Sequence, residues 1–213
     1  MYKRYRALFT AVILTIALGA DSRAQEVRET SFRMEGNERV LQQSMVVGRD
    51  AKTVWKLIST TEGMERFIAP RVEFELKPGG RWLSSFDPEA ILDDTAIHNK
   101  VLSYVPERML SIQIGFPEGI DEDIRRAGTL FAVLMLEPVD ARHTRVVETM
   151  SGFGNGARWD AVYEMFKAGN AQTLAALAET VRTGKPLNWG GKNPYSGHRH
   201  AERTGLSEPA TLR

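Results

Sequence analysis

Cysteine is absent from all 213 residues. This excludes thiol nucleophiles, disulfide cross-links and lipid attachment through an amino-terminal cysteine. Histidine is scarce, with only four in the chain. His98 and His143 fall in strand or turn settings without a partner at ligand spacing, and His198 and His200 supply two ligands on a segment read as mobile, short of the four of a structural zinc site. No metal and no cofactor are expected. Ser84, Ser85, Ser103 and Ser151 stand in no Ser-His-acid pattern, and no glycine-rich loop precedes a helix to cradle phosphate. The longest apolar run, Ala7 to Gly19, is too short for the roughly 20 residues of a membrane-spanning helix. Aromatic residues are only 8% of the chain, and no basic stripe interleaves with them, so nucleic acid is not an expected partner.

What is present begins with that short run. Lys3, Arg4 and Arg6 precede it, and Ser22-Arg23-Ala24 follows with small residues at the two positions a signal peptidase reads, the layout of a signal peptide over residues 1–24. Cleavage after Ala24 is predicted, with a periplasmic or secreted product and no membrane contact afterwards. Of 28 basic and 27 acidic residues, the segment removes four and one, leaving a net charge of about −2. The basic character belongs to the leader.

Residues 25–37 are polar and read as frayed. A strand is predicted from Arg39 to Arg49, then a helix from Ala51 to Ser59 capped by Asp50, and a shorter helical turn near Glu62 to Ile68 that ends before Pro70. The period then becomes two. Val72, Phe74 and Leu76 alternate with charged residues, Pro78-Gly79-Gly80 turns the chain, and Trp82, Ser84 and Phe86 alternate again. Further strands are predicted over 97–105, around Leu110 to Ile114, over Thr129 to Leu136 and over Thr144 to Met150. Strands joined by turns with no helices between them imply an antiparallel sheet. From Ala157 to Thr183 the apolar residues recur at helical period, closed by Gly184 and Pro186. A helix of about 39 Å is as long as a small domain and must lie across the sheet. Residues 185–213 read as a flexible tail.

This order of elements resembles the START-like or SRPBCC superfamily, the Bet v-like helix-grip fold, and within it the branch named for activators of the 90-kDa heat-shock-protein ATPase. The resemblance is carried by Ala51-Lys52-Thr53-Val54-Trp55, Pro78-Gly79-Gly80-Arg81-Trp82, Val105-Pro106-Glu107-Arg108-Met109-Leu110 and Ser151-Gly152-Phe153. It implies an α+β domain over residues 38–184: two short helices after the first strand, a curved antiparallel sheet of six to seven strands, and a long carboxyl-terminal helix. It also implies a cavity between sheet and helix of the kind the superfamily uses for apolar molecules. The chain departs from the pattern at Phe67, often Trp in the family, and at Gly169-Asn170, where the family has a Gly-Trp pair.

The expected wall of that cavity is Trp82, Phe86, Ile112, Phe131, Val133, Met135, Met150, Phe153, Trp159 and Phe166, each of which could equally be plain core. Gly169 and Asn170 are small for a helix interior, so they either open space over the sheet or face solvent. Glu148 shares one face of its strand with Val146 and Met150. If that face points inward, Glu148 is a carboxyl in low dielectric, able to orient a ligand or to act as general acid or base. Three functions follow: binding of a small hydrophobic molecule, a cyclase, hydratase or isomerase using Glu148, or a protein-interaction module. Export argues against the last, because the chaperone partner that the family name implies is cytosolic. The oligomeric state is open.

Overall fold

The computed structural model describes residues 26–92, 96–116, 122–127 and 129–188. The leader, and the tail from residue 189 with His198 and His200, lie outside them.

The chain opens with two short strands, β1 (Arg28–Glu29) and β2 (Phe32–Arg33), both paired antiparallel with β3 (Arg39–Val47). The stretch expected to fray is therefore pinned. Glu29 holds Lys167 of the final helix at 2.9 Å, and Thr30 N–H donates to the Gln42 carbonyl at 2.8 Å.

Helix α1 (Ala51–Ile58) starts where predicted because Asp50 accepts from the Thr53 backbone N–H at 3.0 Å and from its hydroxyl at 2.7 Å, filling an otherwise orphan donor. Helix α2 (Thr61–Met64) is shorter than expected and is capped by Thr60 in the same way.

The meander then runs β4 (Arg71–Phe74), β5 (Arg81–Ser85), β6 (Ile97–Val105) and β7 (Met109–Ile114). Between β4 and β5, Gly79 takes a φ of +79°, open to glycine at little cost. A six-residue helix, α3 (Glu122–Ala127), was not expected, since strands were thought to follow one another directly. It buries Ile124 and separates β7 from β8 (Leu130–Pro138). The last strand, β9 (Thr144–Phe153), runs three residues past its predicted end, and Gly152 near that end has φ +96° with no room for a Cβ, which would lie 2.2 Å from the Thr129 carbonyl oxygen.

Among the described residues the sheet has nine strands in the order β1-β3-β9-β8-β7-β6-β5-β4, with β2 also on β3. Seven are the strands the pattern implied; β1 and β2 make the difference. Every pairing is antiparallel. Helix α4 (Ala157–Thr183) lies against β3 and β9 and ends on Gly184 in the left-handed conformation. Arg39 ties its first turn down through Asp160 at 2.6 Å and the Gly154 carbonyl at 2.7 Å, and its guanidinium lies 5.1 Å from the centre of the Tyr163 ring. At the far end, Arg66 donates to the Gly184 carbonyl at 2.6 Å. The core sits between the inner sheet face and α1, α2 and α4. No helix among the described residues is long and apolar enough to cross a membrane.

Candidate functional site

The inner face of the sheet and α4 do not close completely. Between them lies a cavity of about 90 Å³. A single water needs only roughly 10–15 Å³ of such space, so the cavity suits a small organic molecule.

Strand period and register decide what it sees. On β5, Trp82 and Ser84 point inward and Phe86 continues the same parity past the strand end, while β6 contributes Ile97 and Asn99 and β7 contributes Ile112 and Ile114. Helix α4 supplies Phe166, Asn170, Thr173, Leu174 and Leu177, a stripe at three- and four-residue spacing. Phe67 and Ile68, just after α2, complete that end.

Glu148 points inward. Its neighbours across the strands are Gln43 on β3 and Leu134 on β8, and Met150 follows two residues on. The side chain opens partly onto the cavity but is walled in from bulk solvent, and this burial alone pushes the carboxyl up from its ordinary range to about 7. No cation and no hydrogen-bond donor among the described residues reaches it. Among those residues it is the only ionisable side chain lining the cavity.

The other polar groups are neutral. Asn170 Nδ2 donates to Met150 Sδ at 2.9 Å, and Asn99 Oδ1 accepts from the Gly115 backbone N–H at 2.8 Å. Among the described residues three buried side-chain polar atoms have no partner: Arg39 Nε away from the cavity, Trp82 Nε1 on its wall, and Gln43 Oε1 on the residue directly opposite Glu148. An unmet buried group of this kind costs about 1–3 kcal/mol.

Of the expected wall, Trp82, Phe86, Ile112, Glu148, Met150, Phe166 and Asn170 line the cavity. Phe131, Val133 and Met135 do not. The register pairs Ala132 with Met150 and Leu136 with Val146, so the even-numbered residues of β8 share the inner face and the three odd-numbered ones lie outside. Phe131 is 39% and Met135 45% exposed. Phe153 is core, edge-on to Tyr163 at 5.0 Å and to Phe166 at 6.4 Å. Trp159 packs on the Gly154 backbone and on Phe116, with ring centres 6.4 Å apart.

Gly169 and Asn170 are both buried, which settles their direction toward the sheet. Ser84, Asn99, Leu134 and Thr173 were not anticipated in the wall. Ser84 was recoverable from its parity with Trp82 and Phe86, and Thr173 from its place three residues after Asn170. Leu134 was hidden in a run apolar at both parities. Among the described residues no group of three His, Asp or Glu could hold a metal.

Known proteins bear on this arrangement at two levels. By sequence, the family described as activator of Hsp90 ATPase homolog 1-like protein matches residues 49–182. No curated protein sequence matches the chain. By fold, it is similar to the solution structure of CalU16 from Micromonospora echinospora, with a TM-score of 0.57 at 14% identity over 78% of this chain and 79% of that one. It is also similar to the Aha1 dimer from Colwellia psychrerythraea, with a TM-score of 0.53 at 15% identity over 68% and 98%. A third similar structure is DynU16 of the dynemicin biosynthetic locus, with a TM-score of 0.54 at 16% identity over 69% of this chain and 48% of that one. At such identities the likeness concerns the fold alone. The sequence match spans more than half the chain and contains both short helices, the meander and nearly all of α4, and on that ground the chain belongs to the activator of Hsp90 ATPase homolog 1-like family of helix-grip proteins.

Proposed function

We propose that this is an exported helix-grip protein that binds a small, mainly apolar molecule between the sheet and α4, without transforming it. The observation that carries the reading is the cavity itself: an apolar wall interrupted by one buried carboxyl and a few neutral polar groups, the usual make-up of a small-molecule site. Its dimensions favour a compact ligand over a long lipid chain. Phe67 and Asn170, where the chain departs from the family pattern, both lie in this wall, which supports a ligand particular to this protein. Export rests on the amino-terminal sequence, with its basic start, short apolar run and Ser-Arg-Ala ending.

Native mass spectrometry of the protein purified from its own host tests the binding reading. A stoichiometric small-molecule adduct is expected. A chain that is repeatedly empty, and that takes up no apolar probe, overturns it. Amino-terminal sequencing of the same material tests export, with a chain beginning at Gln25 as the expected result.

A second reading has its own support. A carboxyl brought to about 7 is suited to give and take a proton near neutrality, so Glu148 could serve a cyclase, hydratase or isomerase. Once a ligand is known, Glu148→Gln separates the two. Loss of turnover with retained binding favours catalysis; unchanged turnover of a converted ligand ends that reading.

A further inference from the structure

Resting on the binding reading above, we infer that the cavity selects an amine: a compact apolar body carrying one basic nitrogen directed at Glu148. The geometry points to a charge sign as well as to a shape.

Glu148 projects from the middle of β9 into the cavity with no partner. The groups that face it are Gln43 from β3, Leu134 from β8, and Trp82, Ile112 and Asn170 across the cavity; none of them titrates. An apolar ligand without a polar group would leave this carboxyl unmet. A carboxylate ligand would set two like charges side by side in low dielectric, where only one can stay ionised. An amine resolves both difficulties. Neutral amine and neutral Glu148 combine by moving one proton from the carboxyl oxygen to the nitrogen, and ammonium and carboxylate arrive at the same pair. The product is net neutral and makes a charge-assisted hydrogen bond. The neutral acceptors nearby, Asn170 Oδ1 and the Ser84 and Thr173 hydroxyls, can take the remaining N–H groups. Beside Glu148 the buried Gln43 Oε1 lacks a donor and on the cavity wall the Trp82 indole N–H lacks an acceptor, so the unpaired carboxyl alone sets the charge the ligand must carry.

The test uses three probes of one shape, hexylamine, hexanol and hexanoate, titrated by NMR into the ¹⁵N-labelled protein purified from its host. At about pH 8.5, where Glu148 is ionised and an alkylamine is still protonated, hexylamine is expected to bind roughly ten- to a hundredfold more tightly than hexanoate. Near pH 5.5 Glu148 is neutral and the gap is expected to shrink to about threefold or less. In Glu148→Gln the amine preference is expected to vanish at both pH values.

Hexanoate binding as well as hexylamine to the unaltered protein at the higher pH overturns the inference, and so does an amine preference that survives Glu148→Gln. The pH comparison needs no variant, so a poorly folding mutant does not blunt it. If hexanol binds and the amine gains nothing, the cavity reading stands and the amine falls. If none of the three probes perturbs the cavity resonances, both fall.

Discussion

The two faces of β8 have nearly the same composition and opposite fates. Leu130, Ala132, Leu134 and Leu136 lie on the inner face, Leu134 in the cavity wall, and all but Leu134 are buried. Phe131, Val133 and Met135 alternate with them on the same strand, yet two of these are exposed and the third only partly covered. Hydrophobicity along this strand therefore does not report burial. The helix covers one face of the sheet and not the other, and an aromatic or β-branched residue on the open face still suits a pleated surface. Glu148, across from Leu134, is the converse case. It is charged by type but belongs to the covered face, because its strand parity is that of Val146 and Met150.

Substitutions on the two faces test this difference directly. Leu130→Ala on the inner face should cost about 2–5 kcal/mol of unfolding free energy in urea, through lost burial and the hole left behind. A loss below about 1 kcal/mol would mean that the inner face is not the packed one.

Glu148→Gln should act with the opposite sign. The carboxyl is held at about 7 when folded, against an ordinary 4.5. The folded state thus keeps its proton to higher pH than the unfolded chain does. Below both values Glu148 has no effect; stability falls as pH rises from about 4.5, where the unfolded chain gives up the proton, to about 7, where the folded state does, and is level above that. Glu148→Gln should therefore raise stability by about 1–3 kcal/mol near pH 8 and change it little near pH 4. An equal effect at both pH values would show that the carboxyl is not walled off from water.

The smallest effect is expected on the open face. Phe131→Ala and Met135→Ala should each shift unfolding by less than about 1 kcal/mol, because little area is uncovered. A loss in Met135→Ala as large as that of Leu130→Ala would place a partner over that face.

Much of this architecture is legible in the residues. Asp50 and Thr53, Pro78-Gly79-Gly80, and Gly184 mark starts, turns and stops by local chemistry, and local chemistry is written in neighbouring positions. Alternation served where only one parity is apolar, as at Val72, Phe74 and Leu76 between charged neighbours. It was silent in Thr129 to Leu136. The short strands β1 and β2 were equally invisible, since what orders them is β3 and the Glu29–Lys167 pair, far off in the chain. Helix α3, six residues long, is below the length at which periodicity can speak.

Apart from β1, β2 and α3, the sequence by itself determined the kinds of element, their order, the caps of α1 and α4, and which residues on β9 share a face with Glu148, because each of these depends on groups a few positions apart. Only the tertiary structure decided which face of the sheet α4 covers, and so which parity of β8 is core, how much space is left over Asn170, and that no cation accompanies Glu148 among the described residues. Those outcomes depend on strand register and on the seating of one helix, relations between distant segments that no local pattern encodes.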